Sequence, residues 1–301
     1  MEAPSLTTEE TYKKVLAAEG IPSDVEELDG CSLLWLGART AKSIIVYMCG
    51  GGLVTHAYES HIQFLLNGWK IMKANNQDVS IAFLAYGLCP TTLYPAQIRQ
   101  VVSTTQHLLK TRPAESISFS GDSIGGMLIL ALLLHPTHPH PSVPPLSLLP
   151  GSRFNSTFLI SPGSPIATST PSMLENEGKD IFTLAGLQQT HDIVNASLEP
   201  GIDFPNPWIL ASSVEGKWWK GLPVGEVVVT AGGNELLRDD ILAVGERIKR
   251  YHDREVVVFC GEGEVHCGPL VDLLMGVEED KACTKLWKQW FQDFKAYRIR
   301  T

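Results

Sequence analysis

The sequence has no excess of positive charge and no apolar run long enough to cross a membrane. The net charge is −9 and there is no basic stripe, which argues against nucleic acid or an anionic membrane as a partner. No apolar run reaches the ~20 residues that a membrane-spanning helix requires. The first ten residues lack the basic and apolar regions of a secretory signal. We therefore predict a cytoplasmic protein with neither a signal nor a transmembrane segment.

Paired cysteine motifs are also missing. The chain has six cysteines, but they form no C-x-x-C pair, so neither a zinc ribbon nor a disulfide framework is indicated. Three histidines, His135, His138 and His140, lie close together in a proline-rich segment, which would be a poor preorganised metal site. We interpret this segment as a solvated loop and expect neither a metal nor a cofactor.

The composition is that of a folded α/β protein. The 301 residues are 44% hydrophobic and 19% charged, which allows one large domain or two small ones. Apolar runs of strand length lie at 31–36, 43–49, 79–85, 116–120, 156–161, 226–230 and 255–260. Helical patterns alternate with them, at 8–19, 56–73, 95–110, 239–252 and 281–297. This alternation predicts a mainly parallel sheet covered by helices on both faces.

Residues 162–222 interrupt the alternation. They are rich in proline, serine and asparagine, suggest short helices at 179–187 and 188–198, and contain Trp208, Trp218 and Trp219. An apolar insertion of this length between alternating units is typical of a lid over a site. A satellite packing unit is the alternative, and both interpretations can hold together.

The motif G-x-S-x-G occurs once, as Gly121-Asp-Ser-Ile-Gly125, between an apolar strand and an apolar helix. Small residues two before and two after the serine let the strand and the helix pass close together. The helix N-terminus then points at a place where negative charge could develop. The motif predicts Ser123 as a nucleophile, and a glycine-rich loop with an incidental serine is the alternative.

A nucleophilic serine requires a base, and the base requires a carboxylate. In a parallel sheet such groups collect at the carboxyl ends of strands. Glu235 is the first carboxylate after one predicted strand, and His266 is the only histidine beyond the last one. We predict Glu235 as the acid and His266 as the base, with Asp239 and Asp240 as alternative acids. The other histidines in predicted helices are interpreted as packing or surface residues: His56, His61, His107, His191 and His252.

Three glycines, at residues 50–52, follow a predicted strand. Without Cβ atoms, their main chain can approach a substrate closely, and fixed backbone N–H groups stabilise an oxyanion well. We predict Gly51, Gly52 and Ile124 as the N–H donors to an oxyanion. A plain turn is the alternative.

With these motifs in view, the chain resembles the hormone-sensitive-lipase branch of the α/β-hydrolases, and it is similar to fungal esterases of the steryl-acetyl-hydrolase type and of secondary-metabolite pathways. The resemblance rests on residues 49–52, 86–90 with 94–96, 121–126 and 233–240. It implies the α/β-hydrolase fold in a single domain over residues 1–301: a mainly parallel eight-stranded sheet flanked by helices. It also implies a helical cap built from residues 1–30 and 163–222, and Ser123, Glu235 and His266 as the catalytic triad.

Two residues depart from the family pattern. Cys49 stands where the family usually has a histidine that braces the loop of glycines, and a thiol cannot offer the same hydrogen bonds. Ile124 stands where a small residue is usual, and its side chain would crowd the acyl side of a pocket. We predict Leu53, Ile124 and Trp208 as substrate contacts.

Three functions are compatible with this pattern. The first is a serine hydrolase of the carboxylesterase or deacetylase type that acts on a small apolar ester, such as a fungal secondary-metabolite intermediate. The second keeps the fold but is a lyase, a cyclase or a C–C bond-cleaving enzyme, which the Cys49 departure motivates. The third is a non-catalytic ligand-binding protein, which the retained Ser123, Glu235 and His266 disfavour. The oligomeric state stays open, with a homodimer as one outcome.

Overall fold

In the computed structural model, residues 6–164, 166 and 168–295 are described, and their strands form one eight-stranded sheet. The strand order is β1-β2-β4-β3-β5-β6-β7-β8. β1 and β2 are antiparallel to their neighbours, and the remaining pairs are parallel. The bounds are β1 Asp24–Leu28, β2 Cys31–Leu36, β3 Ser43–Met48, β4 Val79–Ala85, β5 Ile117–Asp122, β6 Phe154–Ile160, β7 Val224–Gly232 and β8 Val256–Gly261. The predicted fold class is therefore confirmed.

Helices cover the sheet in two groups. In one group, α2 contacts α1, α8 and α9, and α8 contacts α9. In the other group, α3 packs on α4, and α7 packs on β7 and β8. The bounds are α1 Thr8–Ala18, α2 Glu59–Ala74, α3 Ala96–Leu108, α4 Ile124–Leu134, α5 Pro171–Glu175, α6 Leu184–Asn195, α7 Arg238–Tyr251, α8 Gly268–Leu274 and α9 Ala282–Gln292.

The central strands are buried on both faces. Every residue of β3, β5 and α4 is buried. Burial on both faces explains the continuous apolar run of β3, whereas β5 fills its buried positions with small serines and a glycine between its apolar residues. α7 lies nearer the surface and is amphipathic, with Asp239 and Asp240 in its first turn and Lys249 and Arg250 in its last. These charges complement the helix dipole.

The strand β1 has no counterpart in the sequence-based prediction. Its sequence, Asp-Val-Glu-Glu-Leu, is polar, and it lies at the edge of the sheet, paired only with β2. An edge strand exposes one side to solvent, so its apolar pattern is weak. The residues of β1 fall within 1–30, the segment predicted to belong to the cap. The division into hydrolase body and cap stays a prediction.

The insertion contains α5, α6 and two short 3₁₀ turns, Ala211–Ser213 and Gly216–Trp219. The prediction of two helices at 179–187 and 188–198 was wrong, because a single helix, α6, runs from Leu184 to Asn195 across the boundary between them. It begins where the Thr183 hydroxyl accepts a hydrogen bond from the Gly186 N–H (3.1 Å). The last helix ends at Gln292 instead of 297, and residues 296 and 297 lie outside the described residues.

The histidine-rich segment is held by separate contacts. His135 Nδ1 accepts from Leu146 N (3.1 Å), His140 Nδ1 accepts from Ser142 N (3.1 Å), and His138 stacks on Trp218. Burial lowers the pKa of His135 to about 4. Within the described residues no group of three or more histidine, cysteine or acidic side chains could hold a metal ion. None of the described helices is both long enough and apolar enough to cross a membrane.

Candidate active site

Ser123 lies at a sharp turn between β5 and α4, with φ of 49°. Residues other than glycine rarely adopt this backbone conformation, and such strain is concentrated at functional sites. The neighbouring glycines make the turn feasible. A Cβ atom at Gly125 would lie 2.0 Å from the Met48 carbonyl oxygen, and one at Gly121 would lie 2.7 Å from the same atom. The spacing of the motif thus follows from the close passage of β3 beside the turn.

We expect Gly125→Ala to destabilise the protein by about 3 kcal/mol, because the added methyl group meets two backbone carbonyls that cannot move independently. Urea unfolding measures this change. Gly186→Ala is the matched control, since a Cβ atom there would meet only the Thr183 hydroxyl at 3.3 Å, and its effect should stay within about 1 kcal/mol. A Gly125→Ala protein as stable as the control would contradict the packing of the turn described here.

The three residues predicted as a triad meet in space. Ser123 Oγ lies 2.9 Å from His266 Nε2, and His266 Nδ1 lies 2.6 Å from Glu235 Oε2. Glu235 and His266 are buried. The second carboxylate oxygen, Glu235 Oε1, accepts hydrogen bonds from Ser161 Oγ (3.1 Å) and the Gly232 N–H. A carboxylate held on both oxygens fixes the orientation of the imidazole beside it.

Burial alone would lower the pKa of His266, but the hydrogen bond and the charge of Glu235 outweigh it, with Asp180 and Asp122 adding to the effect. The pKa of His266 therefore lies above its ordinary value. The carboxylate stabilises the imidazolium that would form when His266 takes a proton.

The insertion contributes a residue that the sequence did not single out. Asp180 Oδ1 accepts a hydrogen bond from the backbone N–H of His266 (2.9 Å), and Asp180 Oδ2 accepts one from the backbone N–H of Leu236 (2.8 Å). One side chain thus holds the loop after β7 to the loop after β8. The alternative acids are engaged elsewhere: Asp239 bonds Ser172 and Asp240 bonds Thr168.

The candidate oxyanion donors lie close to Ser123. Gly51 and Gly52 line the same cavity as Ser123, and Ile124 is the first residue of α4. The backbone has φ of 97° at Gly51 and 61° at Gly52, which is the left-handed region that favours glycine. We call residues 50–52 the oxyanion loop. Its conformation explains why glycines occupy it.

The cavity above Ser123 has a volume of about 410 Å³. It is bounded by the oxyanion loop, the insertion and α8, and it contains Asp122 and His61 beside the serine. The insertion and α8 contribute apolar side chains to it: Ile181, Phe182, Leu187, Leu270, Val271, Leu274 and Met275. The Phe182 ring is 4.9 Å from the His266 ring. No pattern in the sequence singled out Phe182, because its position beside His266 depends on how the insertion packs over the cavity.

The predicted substrate contacts Leu53, Ile124 and Trp208 are not among the described residues that line this cavity. Leu53 and Ile124 are fully buried. Trp208 donates its Nε1–H to the His138 carbonyl (2.8 Å) and packs against His140 and Trp218. Trp208 thus packs around the histidine-rich segment, and the three predicted substrate contacts stay predictions.

A family model described as alpha/beta hydrolase fold matches residues 45–269. The chain therefore belongs to the α/β-hydrolase fold family. The matched segment includes the nucleophile turn, the predicted acid and the predicted base.

Two curated proteins are similar in sequence. A putative steryl acetyl hydrolase of Schizosaccharomyces pombe is 25% identical over 287 residues, covering 87% of this chain and 69% of that protein. A putative alpha/beta hydrolase of Acanthamoeba polyphaga mimivirus is 21% identical over 251 residues, covering 81% of this chain and 66% of that protein. The chain thus spans about two thirds of the length of these relatives.

Solved structures share the fold. Carboxyl esterase 2 of Tuber melanosporum has a TM-score of 0.70 at 18% identity, covering 90% of this chain and 86% of that one. A hormone-sensitive lipase from a metagenome library has a TM-score of 0.70 at 20% identity, covering 96% and 92%. The likeness to these structures is one of fold, and it agrees with the family match.

Proposed function

We propose that the protein is a serine hydrolase that cleaves a small, uncharged, largely apolar ester. The observation that carries this proposal is the continuous chain from Ser123 Oγ through His266 to Glu235, with distances of 2.9 and 2.6 Å, at the base of one cavity. A serine, an imidazole and a buried carboxylate in this order form the machinery of acyl transfer.

In this mechanism Ser123 Oγ attacks the ester carbonyl carbon while His266 Nε2 takes the hydroxyl proton. Glu235 holds the proton on Nδ1, so that Nε2 is free to accept. The carbonyl oxygen becomes an oxyanion bonded by the N–H groups of Gly51, Gly52 and Ile124. His266 then gives its proton to the departing alcohol, which leaves an acyl group on Ser123. A water molecule repeats the sequence, and the acid is released.

The charges around the cavity favour an uncharged substrate. The described lining residues include no lysine or arginine, while Asp122 places a buried carboxylate beside Ser123. A substrate carboxylate or phosphate would lose its hydration there without gaining a cationic partner. The apolar side chains of the insertion and α8 complement an apolar acyl or alcohol group instead.

We expect the protein to hydrolyse p-nitrophenyl butyrate with a kcat/KM at least about 30-fold above that for the p-nitrophenyl monoester of succinic acid, because the latter adds one carboxylate at similar length. The comparison is made by release of p-nitrophenolate. Protein treated beforehand with a fluorophosphonate, with the adduct mapped to Ser123 by mass spectrometry, gives the background. Equal rates for the two esters would contradict the charge argument, and turnover that survives complete labelling would contradict the role of Ser123.

Two further observations bear on the acyl group of the substrate and on the location of the protein. The steryl acetyl hydrolase relative supports an acetate ester, and the free cysteines of the described chain suit the reducing cytoplasm. The family resemblance implies a substrate from secondary metabolism, and a homodimer is one outcome for the open oligomeric state. The retained triad geometry favours hydrolysis over the lyase, cyclase and binding alternatives.

A further inference from the structure

We propose that His61 is a positioning residue for the oxyanion loop and acts on it through the Asp122 carboxylate. This inference rests on the proposed function, because the conformation of the oxyanion loop matters only for a reaction at Ser123. The interpretation of His61 as an ordinary packing or surface residue would then be incomplete.

Two hydrogen bonds of backbone groups hold the oxyanion loop and the residue before it in place. The thiol of Cys49 replaces the histidine that the family resemblance leads one to expect there. In the structure the Cys49 carbonyl accepts from Tyr86 Oη (2.7 Å), and the Gly50 N–H donates to Asp122 Oδ1 (2.9 Å). Asp122 immediately precedes Ser123, so this one carboxylate connects the oxyanion loop to the nucleophile turn.

Neighbouring side chains contact both carboxylate oxygens of Asp122. Its Oδ1 also accepts from Tyr47 Oη (2.6 Å), while its Oδ2 lies 3.4 Å from His61 Nε2 and 3.8 Å from Cys267 Sγ. Asp122 is only 3% exposed, and a buried carboxylate requires donors on both oxygens. A thiol is a weak donor. On the Oδ2 side the imidazole of His61 is therefore the main partner.

A backbone hydrogen bond sets the orientation of the His61 ring. Its Nδ1 accepts the Tyr58 N–H (3.1 Å), which requires that Nδ1 carry no proton. The proton is then on Nε2, the atom that faces Asp122. His61 lies in the first turn of α2 and is 6% exposed. A hydrogen bond thus fixes Nδ1, and Nε2 faces the Asp122 carboxylate at 3.4 Å, which suits a residue that orients its neighbour.

Burial alone would raise the pKa of Asp122, but the His61 imidazole, Tyr47 Oη and the Gly50 N–H outweigh burial, and the pKa lies below its ordinary value. Asp122 therefore stays a carboxylate that can accept from Gly50. Without His61, the carboxylate loses its partner on Oδ2 and can rotate or take up a proton. Either change weakens its bond to Gly50, and a shift of the oxyanion donors by a fraction of an ångström is costly for catalysis.

The test compares His61→Leu with His61→Gln. The glutamine amide reaches about as far as Nε2 and retains an N–H donor, whereas leucine retains only bulk. We expect His61→Leu to lower kcat for p-nitrophenyl acetate by about 10- to 100-fold with little change in KM, and His61→Gln to recover most of that loss. The affinity of a trifluoromethyl ketone, whose adduct with Ser123 carries an oxyanion, should fall in parallel with kcat.

His56→Leu is the matched control. His56 lies on the same connection between β3 and α2, but its Nδ1 accepts from Thr8 (3.3 Å) and not from any group of the cavity. We expect its kinetics to equal those of the unchanged protein. If His61→Leu is folded, as judged by its unfolding temperature, and keeps both kcat and ketone affinity within twofold, the inference is wrong. Equal losses in folded His61→Leu and His61→Gln would also overturn it, because the N–H donor would then be irrelevant.

If His61→Leu does not fold, His61→Asn and His61→Gln decide the question. The asparagine amide is too short to reach Asp122, so Asn should be impaired and Gln close to normal, and equal kcat values would contradict the proposal. The rate of fluorophosphonate labelling at Ser123 gives the same comparison without turnover. An unchanged protein that neither labels nor hydrolyses esters would refute the proposed function itself, whereas an active one with normal His61 variants would refute only the present inference.

Discussion

Ser123→Ala is expected to lower kcat/KM for p-nitrophenyl acetate by about 10⁴- to 10⁶-fold. The substitution removes the atom that forms the acyl bond, while the remaining backbone donors and the cavity provide only residual catalysis. The fold should be unaffected, because the hydrogen bond that Ser123 Oγ forms within the described residues is the one with His266 Nε2. Initial rates, covalent labelling and the unfolding temperature together measure the change.

Ser120→Ala is a matched control for this prediction. Ser120 lies on β5, three residues before Ser123, and is buried, and its hydroxyl has no hydrogen-bond partner among the described residues. Its loss should leave kcat/KM within about twofold. A Ser123→Ala protein that retains a tenth of the original activity would show that another group, or water activated by His266, attacks the ester.

Glu235→Gln is expected to lower kcat by about 10³- to 10⁴-fold and to move the acid limb of the pH profile to lower pH. His266 acts as a base only when neutral, so activity falls as the pH decreases through the pKa of His266. Glu235 raises that pKa through its hydrogen bond and charge. Without this charge the pKa falls, and the residual activity should extend to lower pH than in the unchanged protein.

Glu262→Gln provides the comparison, since Glu262 is exposed on the segment that follows β8. It should change neither kcat nor the acid limb. If Glu235→Gln leaves the acid limb where it was, the titrating group that limits activity is not His266, and the assignment of the base must be revised.

The parts of the fold that the sequence predicted well are those with a strong local signal. The predicted strand 79–85 coincides with β4, and the central parallel strands were recognised because burial on both faces requires continuous apolar runs. β1 was missed because an edge strand tolerates polar residues. α8 was missed because it is short and begins directly after His266, with Pro269 in its first turn.

The three candidate triad residues could also be selected from local signals in the sequence. Ser123 lies in a motif whose glycines are required by local sterics, and Glu235 and His266 follow strands that could be recognised individually. Parallel strands direct their carboxyl ends to one edge of the sheet, so chain order was sufficient to select all three. The roles assigned to them remain predictions that the variants above test.

By itself, the sequence determined the alternation of the central strands and helices, the turn at Ser123 and the set of acid and base candidates, because each depends on residues close together in the chain. Only the tertiary structure decided that His61 faces Asp122, that Asp180 holds the loops after β7 and β8, and that Trp208 packs on the histidine-rich segment. These contacts join residues tens of positions apart. They depend on how α2 and the insertion fold against the sheet, which no local periodicity encodes.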